Sequence, residues 1–146
     1  NGKRGLRDSV CWGMMGTLSE HWEDDMTLKE IADALVAGCR EDRARANLAR
    51  LYAPDAVSVE AMDMGGGRET QGLAGIDGKH DWWEANFIVH GLTVEGPFLH
   101  GEDRFAVIFD MDTENKTSGE RHQEREVAIY HVKDEKIVRE EFFYGG

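Results

Sequence analysis

The segment RFAVIFDMDTENKTSGERHQEREVAIYHV (residues 104–132) decides the fold, because two long alternating runs flank one polar turn. Apolar and polar residues alternate over 104–114 and again over 120–132, which is the period of a half-buried β-strand. The residues Lys-Thr-Ser-Gly between the runs are typical of a turn. The segment therefore predicts a long antiparallel hairpin.

A turn centred near residue 117 sets the predicted register of this hairpin. The pairs that follow are Asp112 with His122, Asp110 with Glu124, Ile108 with Glu126, and Ala106 with Ala128. Directly opposite residues share a face of the sheet. One face would then be apolar at one end and acidic near the turn, whereas the other face would be uniformly apolar.

The half-acidic face has three interpretations that the spacing leaves open. It is an outer surface with solvated charges, a pocket with acid/base groups at one end, or a metal site. Like charges directly opposite one another destabilise a strand pair, so the cluster needs an explanation. With one histidine and no ligand spacing, a metal is the weakest of the three, and we assign no metal ligand.

Three segments before this hairpin have apolar residues at the spacing of one helical face. Thr27 with Glu30 forms a capping box, so the first helix is expected to begin at Met26 to Leu28 and to end near Gly38. A second short helix ends at Pro54, and a third covers about 76–87. Its face carries His80 and Trp83, for which a packing role is the simpler interpretation.

From His90 onward the pattern is that of strands, at 90–99, 104–114, 120–132 and 136–144, with one earlier short strand at 57–62. Helices first and a strand meander afterwards predict an α+β fold. We expect a curved antiparallel sheet with the N-terminal helices packed on one side, over a pocket.

Composition excludes several classes of function. The 146 residues carry a formal net charge of -12, which argues against binding nucleic acid or an anionic membrane surface. No apolar run approaches a membrane span. Cys11 and Cys39 lack metal-ligand spacing, which favours reduced thiols in a cytoplasmic protein. Residues 1–25 are interpreted as a leader or extension, and 26–146 as one domain.

Three further carboxylates lie on predicted strands. Glu60 lies on the first strand, 57–62, and in KIVREEFFY (136–144) Glu140 and Glu141 occupy opposite faces. One of these last two must point toward whatever the sheet buries. The alternative is a position at the rim, paired with Arg139 or Arg125.

Three runs resemble the nuclear transport factor 2-like superfamily, in its SnoaL-like branch: LARLYAPDAVSVEA (48–61), QGLAGIDG (71–78) and EVAIYHVKDEKIVREEFFY (126–144). The resemblance covers about residues 26–144. It implies a cone-shaped, cystatin-like α+β fold, related to ketosteroid isomerases and polyketide cyclases. The fold hosts enzymes and non-catalytic proteins alike, so it does not by itself imply a function.

Carried over residue by residue, the resemblance makes Glu60 the candidate general base, with a raised pKa if it faces an apolar cavity. The family's catalytic aspartate falls on Ala128, which is a departure. If Ala128 faces the pocket, Tyr130, Glu124 and Glu126 would face it too, with Asp110 and Asp112 beside them on the partner strand. The acid would be Asp110, Glu124, Glu126 or the Tyr130 hydroxyl. The other expected ligand contacts are Ile108, Asp112, His122, Trp83, Met62 and Glu140.

Two functions follow as expectations. The first is acid/base catalysis on a small, largely apolar molecule, without a cofactor, of the isomerase, cyclase, dehydratase or hydrolase type. The second is a non-catalytic ligand-binding or homodimeric module, in which an apolar sheet surface such as 142–144 joins two copies.

Overall fold

The structure is a computed structural model that describes residues 26–145. The predictions for residues 1–25, including the one for Cys11, lie outside the described residues. The helices are α1 (Leu28–Arg40), α2 (Ala46–Leu51) and α3 (Leu73–Asn86). The strands are β1 (Tyr52–Val59), β2 (Glu69–Gln71), β3 (Phe87–His100), β4 (Arg104–Asn115), β5 (Arg121–Lys133) and β6 (Lys136–Phe143).

Helix α1 begins where the capping box predicted. The Thr27 side chain accepts a hydrogen bond from the backbone N–H of Glu30, and the Glu30 side chain accepts one from the backbone N–H of Thr27. Gly38 does not end the helix, which continues to Arg40. An added Cβ at Gly38 would lie 2.0 Å from Nδ2 of Asn47. The glycine therefore allows close contact between α1 and α2 and is not a stop signal.

The strands form one curved, open sheet of six in the order β2-β1-β6-β5-β4-β3. This confirms the α+β class and the helices packed on one side, with one difference. β1 pairs with β6 in parallel, so the sheet is mixed and not purely antiparallel. Strand β1 also begins at Tyr52, five residues earlier than predicted, and the short strand β2 was not predicted.

The predicted register of the β4–β5 hairpin is wrong by one residue. Asp110 pairs with Arg125, Asp112 with Gln123, and Phe109 with Glu126. The connection has the predicted five residues but lies one residue later, because Asn115 is the last residue of β4 and Arg121 the first of β5. Since side chains alternate between faces, a one-residue shift transfers the whole of one strand to the other face.

The β5–β6 turn contains Asp134 and Glu135, both with positive φ, at 51° and 64°. Two successive residues in this region are typical of a tight hairpin turn. Glycine adopts positive φ without strain, so the two acidic residues hold this geometry at some cost in backbone strain.

The core lies between the helices and the inner face of the sheet. Its fully buried side chains include Ile31 and Val36 from α1, Phe105 and Val107 from β4, and Ile137 from β6. Across residues 26–145, no helix combines the length and apolar character that a membrane crossing requires.

Candidate functional site

Glu60 lies directly after β1, at the end of the sheet that α3 covers. Its Oε1 is 2.6 Å from Nζ of Lys79, and its Oε2 accepts a hydrogen bond of 3.0 Å from the Tyr144 hydroxyl. The side chains of Glu60 and Lys79 are each 26% exposed. Glu60 is therefore a half-buried carboxylate with two protein donors.

Lys79 joins this end of the sheet to its centre. Its ammonium also donates to Oγ of Ser58, at 2.6 Å, and lies 5.4 Å from the ring centroid of Phe142. Ser58 is fully buried and pairs across the sheet with Glu140. The ammonium thus contacts a carboxylate, a hydroxyl and an aromatic face.

Glu140 is the most deeply buried carboxyl of the described chain. Its Oε2 accepts a hydrogen bond of 2.5 Å from the Tyr52 hydroxyl, and Ser58 is a second hydrogen-bonding partner. Burial raises its pKa, while the bonds from Tyr52 and Ser58 act in the opposite direction. The prediction that Glu140 or Glu141 must face the interior is confirmed, and Glu140 is the buried one.

Glu126 lies on β5 opposite Phe109, on the same face as Glu140. Burial raises its pKa to about 7, and the negative charges of Glu60 and Glu124 add to this. Among residues 26–145 it has no hydrogen-bond or ion-pair partner. The Glu126 oxygens are nevertheless not fully enclosed. Within residues 26–145, Oγ1 of Thr113 is the one enclosed side-chain N or O atom without a hydrogen-bond partner.

The site therefore contains three carboxyl groups in three different environments. Glu60 is paired with a cation and Glu140 is held by two hydroxyls, whereas Glu126 has no partner among the described residues and a pKa of about 7. A carboxyl whose pKa lies near 7 exchanges protons readily at that pH. The arrangement can thus hold a neutral acid and an ionised carboxylate side by side.

Three residues predicted for this site lie on the opposite, outer face, because of the register shift. Asp110 forms an ion pair with Arg125 at 3.0 Å, and Asp112 forms one with Arg121 at 2.6 Å. Ile108 pairs with Val127 and is half-buried on the same outer face; it does not line the inner one.

The remaining predicted residues are dispersed. Met62 is 49% exposed in the loop after β1, and His122 is exposed near the hairpin turn. Trp83 stacks on the ring of Phe87, which supports the packing role. Glu124 is exposed, although its charge acts on Glu126.

Tyr130 and Ala128 lie on the inner face, as the resemblance implied. Tyr130 is buried and stacked on Phe105, with the two ring centroids 4.8 Å apart, so it belongs to the core beneath the site. Burial raises its pKa well above the usual value. Ala128 is fully buried and pairs with Val107 and Phe142. The resemblance implied a carboxyl at position 128, and the carboxyl of Glu126 lies two residues earlier on the same face of β5.

Sequence reasoning missed Lys79, Ser58, Tyr52 and Tyr144 as members of the site. Periodicity placed Lys79 next to His80 on α3 but gave no distance to the sheet. His80 is half-buried with a lowered pKa, caused first by burial. No cluster of three metal-ligating side chains occurs within the described part of the chain.

The chain belongs to the family of SnoaL-like domains, whose model matches residues 26–144. It lies in the SnoaL-like branch of the nuclear transport factor 2-like superfamily, as the sequence indicated. A search of the curated proteins found no match.

Solved structures agree with this assignment. A Mesorhizobium loti protein, provisionally assigned as a SnoaL-like polyketide cyclase and carbohydrate phosphatase, is 37% identical with a TM-score of 0.76, over 82% of this chain and 100% of that one. A Xanthomonas campestris protein of unknown function with a cystatin-like fold has a TM-score of 0.67 at 16% identity, over 83% and 92%. TerC, co-crystallised with polyporic acid, has a TM-score of 0.59 at 23% identity, over 75% and 85%. The last two show the fold alone.

Proposed function

We propose that this SnoaL-like protein binds a small, largely apolar molecule against the inner face of its sheet and transfers a proton to or from it. Glu126 is the group that carries the proton, and Glu60 is the second carboxyl of the site. The reaction would be of the isomerase, cyclase, dehydratase or hydrolase type, and it would use the side chains of this chain alone.

The environment of Glu126 is the observation that carries this proposal. A half-buried carboxyl without a partner among the described residues costs folding free energy, and such groups are concentrated at functional sites. Its pKa of about 7 makes it both a competent acid and a competent base at neutral pH. A ligand with a hydrogen-bonding oxygen would supply the partner that the described chain does not.

The surroundings of Glu126 support an apolar ligand. Phe109 lies opposite it on β4, and Met111 lies farther along the same face. Phe142 lies on β6 on the inner face, and its ring lies beneath the Lys79 ammonium. An apolar surface with a few polar groups at one end is the usual composition of a small-molecule site.

The proposed role differs from the one that the resemblance gave to Glu60. Glu60 keeps the position of the family's general base, but Lys79 and Tyr144 already donate to its two oxygens. Both oxygens of Glu60 are therefore engaged by protein donors before any ligand binds. Glu126, which has no such donor among the described residues, is the better proton-transfer group.

A thermal-shift screen tests the proposal. The ligands are small ring ketones, steroids, epoxides, aromatic acids and polyporic acid, each measured with wild type, Glu126→Gln and Glu102→Gln. Saturation at 100 times Kd stabilises a protein by about 2.7 kcal/mol, which is roughly 5–11 °C here. Glu102→Gln is the matched control, because it makes the same chemical change at an exposed position in the turn between β3 and β4, outside the site.

We expect at least one ligand whose shift is changed by Glu126→Gln and unchanged by Glu102→Gln. Turnover of compounds with that skeleton should then fall roughly 100- to 10,000-fold in Glu126→Gln, the usual contribution of one placed proton-transfer group. A broad panel without any ligand, or a ligand indifferent to residue 126, would contradict the proposal.

A homodimeric module is the second candidate, and the outer face of the sheet favours it. Ile108, Val127 and Ile129 are half-buried there, and Phe143 is 50% exposed beside them. Apolar sheet surfaces surrounded by charges are common in interfaces between copies. Sedimentation velocity of wild type and Phe143→Asp tests this: we expect a dimer that Phe143→Asp dissociates, and a monomeric wild type would contradict it.

A further inference from the structure

We infer that Lys79 assigns the roles of the two carboxyls in this site, by holding Glu60 as a fixed anion and leaving Glu126 as the group that gains and loses the proton. The inference rests on the proposed function, since it concerns the same site. It makes Lys79 a positioning residue, which acts through the carboxyls and does not itself touch the ligand.

The donors of Lys79 are directed at protein atoms. Its Nζ is 2.6 Å from Oε1 of Glu60 and 2.6 Å from Oγ of Ser58, and the charge lies above the Phe142 ring. A lysine ammonium has three donors, and two are used at short distance. The aromatic face adds a favourable cation–π interaction. The ammonium is therefore fixed from three directions.

The two carboxyls differ sharply in what surrounds them. Lys79 and Tyr144 donate to the two oxygens of Glu60, whereas Glu126 has no partner within residues 26–145. When neighbouring carboxyls interact, the one with donors keeps its charge and the other holds the proton. In this structure the difference comes from Lys79 and Tyr144 together, and only Lys79 brings a full charge.

Charges on four elements act on Glu126. Glu60 after β1, Glu124 on its own strand and Glu140 on β6 all raise its pKa, whereas Lys79 on α3 lowers it. The pKa of about 7 is therefore a balance between burial with three carboxyls on one side and one lysine on the other. Two tyrosines on the inner side, Tyr130 and Tyr144, interact with it electrostatically as well.

Ser58 extends the influence of Lys79 to Glu140. Its hydroxyl accepts the hydrogen bond from Lys79, which directs its own proton toward Glu140. Removal of the ammonium would thus loosen Glu60 and Ser58 together. Glu140 keeps its second donor, Tyr52, so the deep end of the network stays in place.

Carboxyl titrations of the free protein test the inference, with glutamate side chains carrying a 13C label and read by NMR. Glu126→Gln and Glu60→Gln assign the two resonances. The variants are Lys79→Met, which removes the charge and keeps the stem, and Lys79→Arg, which keeps the charge. Lys29→Met is the matched control, because Lys29 forms an ion pair of the same 2.6 Å length with Asp33 on the exposed side of α1.

In Lys79→Met we expect the Glu126 midpoint to rise by about one pH unit, the usual effect of losing a nearby opposite charge. Because the two carboxyls interact, the Glu60 resonance is followed through the same titration. Lys79→Arg and Lys29→Met should leave the Glu126 midpoint unchanged. Unchanged titrations in Lys79→Met would overturn the inference, even if its melting temperature fell.

Two further measurements keep the result interpretable. Circular dichroism melts establish that each variant is folded, and Lys79→Gln replaces Lys79→Met if the latter is not. The titration uses no ligand, so a failure of this inference can be distinguished from a failure of the proposed function. If the Glu126 midpoint shifts in Lys79→Met but the screen finds no ligand, only the proposed catalytic function is contradicted. If the screen finds a ligand but the midpoint does not shift, only the role of Lys79 is contradicted.

Discussion

The two faces of the β4–β5 hairpin carry similar numbers of acidic groups, but the pKa of a carboxyl shifts in opposite directions on the two faces. On the outer face, Asp112 pairs with Arg121, and that hydrogen bond holds the pKa of the carboxyl below its usual value. On the inner face, burial raises the pKa of Glu126 to about 7. An exposed carboxylate beside an arginine keeps its charge at little cost in free energy, whereas partial burial without a paired cation raises the pKa into the range where proton transfer occurs near neutral pH.

The largest expected difference between the faces is in packing. Phe105 is 1% exposed and stacks on Tyr130, so Phe105→Ala should lower the free energy of unfolding by about 3–5 kcal/mol. Phe143→Ala on the outer face should cost about 1 kcal/mol or less, since half of the ring is already exposed. Urea unfolding at low protein concentration measures both, and an equal loss would mean that the outer face is covered as well.

The next largest effect is a pH dependence that belongs to Glu126. Its folded-state pKa of about 7 lies above the ordinary 4.5, so its proton stabilises the native state. This contribution is fully present below about pH 4.5 and is lost as the pH rises to about 7. Between pH 5 and pH 8, wild type should lose about 2–3 kcal/mol more than Glu126→Gln.

Urea unfolding of both proteins at the two pH values measures this difference. The histidines titrate in both proteins, so their effect cancels when the two are compared. A wild type and a Glu126→Gln variant with parallel pH profiles would show that Glu126 titrates normally, and the contrast between the faces would then be lost.

A smaller effect is expected from the deepest hydrogen bond of the inner face. Tyr52→Phe removes the hydroxyl that donates to Glu140, and the loss should be about 1–3 kcal/mol because the acceptor is buried. Differential scanning calorimetry at pH 7 measures it. Ser58 remains as a second partner of Glu140, so an unchanged melting temperature would indicate that Ser58 alone satisfies this carboxyl.

The smallest effect belongs to the outer ion pair. Arg121→Gln breaks the contact with Asp112, and we expect no measurable change in melting temperature, because half of the arginine side chain is exposed and solvent replaces it. The same calorimetry applies, at low and high salt. A clear loss that disappears in salt would show that the outer charges act as a network.

Much of the fold could be predicted from local patterns. Alternation identified the hairpin, the capping box located the start of α1, and the family resemblance gave the α+β architecture. The parallel pairing of β1 with β6 could not be predicted from local patterns, because it joins residues about 80 positions apart that share no turn. The early start of β1 was missed because Pro54 was interpreted as ending a helix, although the strand contains it.

The candidate site was predicted only in part. Glu60, Glu126 and Glu140 do lie on the inner face, whereas Asp110 and Asp112 do not. The error has one origin, the position of the turn between β4 and β5, which lies one residue later than predicted. A register defined by an assumed turn centre has an uncertainty of one residue, and one residue is enough to exchange the faces.

The sequence by itself determined which residues of each strand share a face, since side chains alternate regardless of what the strand pairs with. It therefore determined that Glu124, Glu126, Ala128 and Tyr130 stay together. Only the tertiary structure decided which face is covered by helices, and that α3 brings Lys79 to within 2.6 Å of Glu60. The physical reason is that a pKa depends on burial and on charges from distant elements, and neither is set by local spacing.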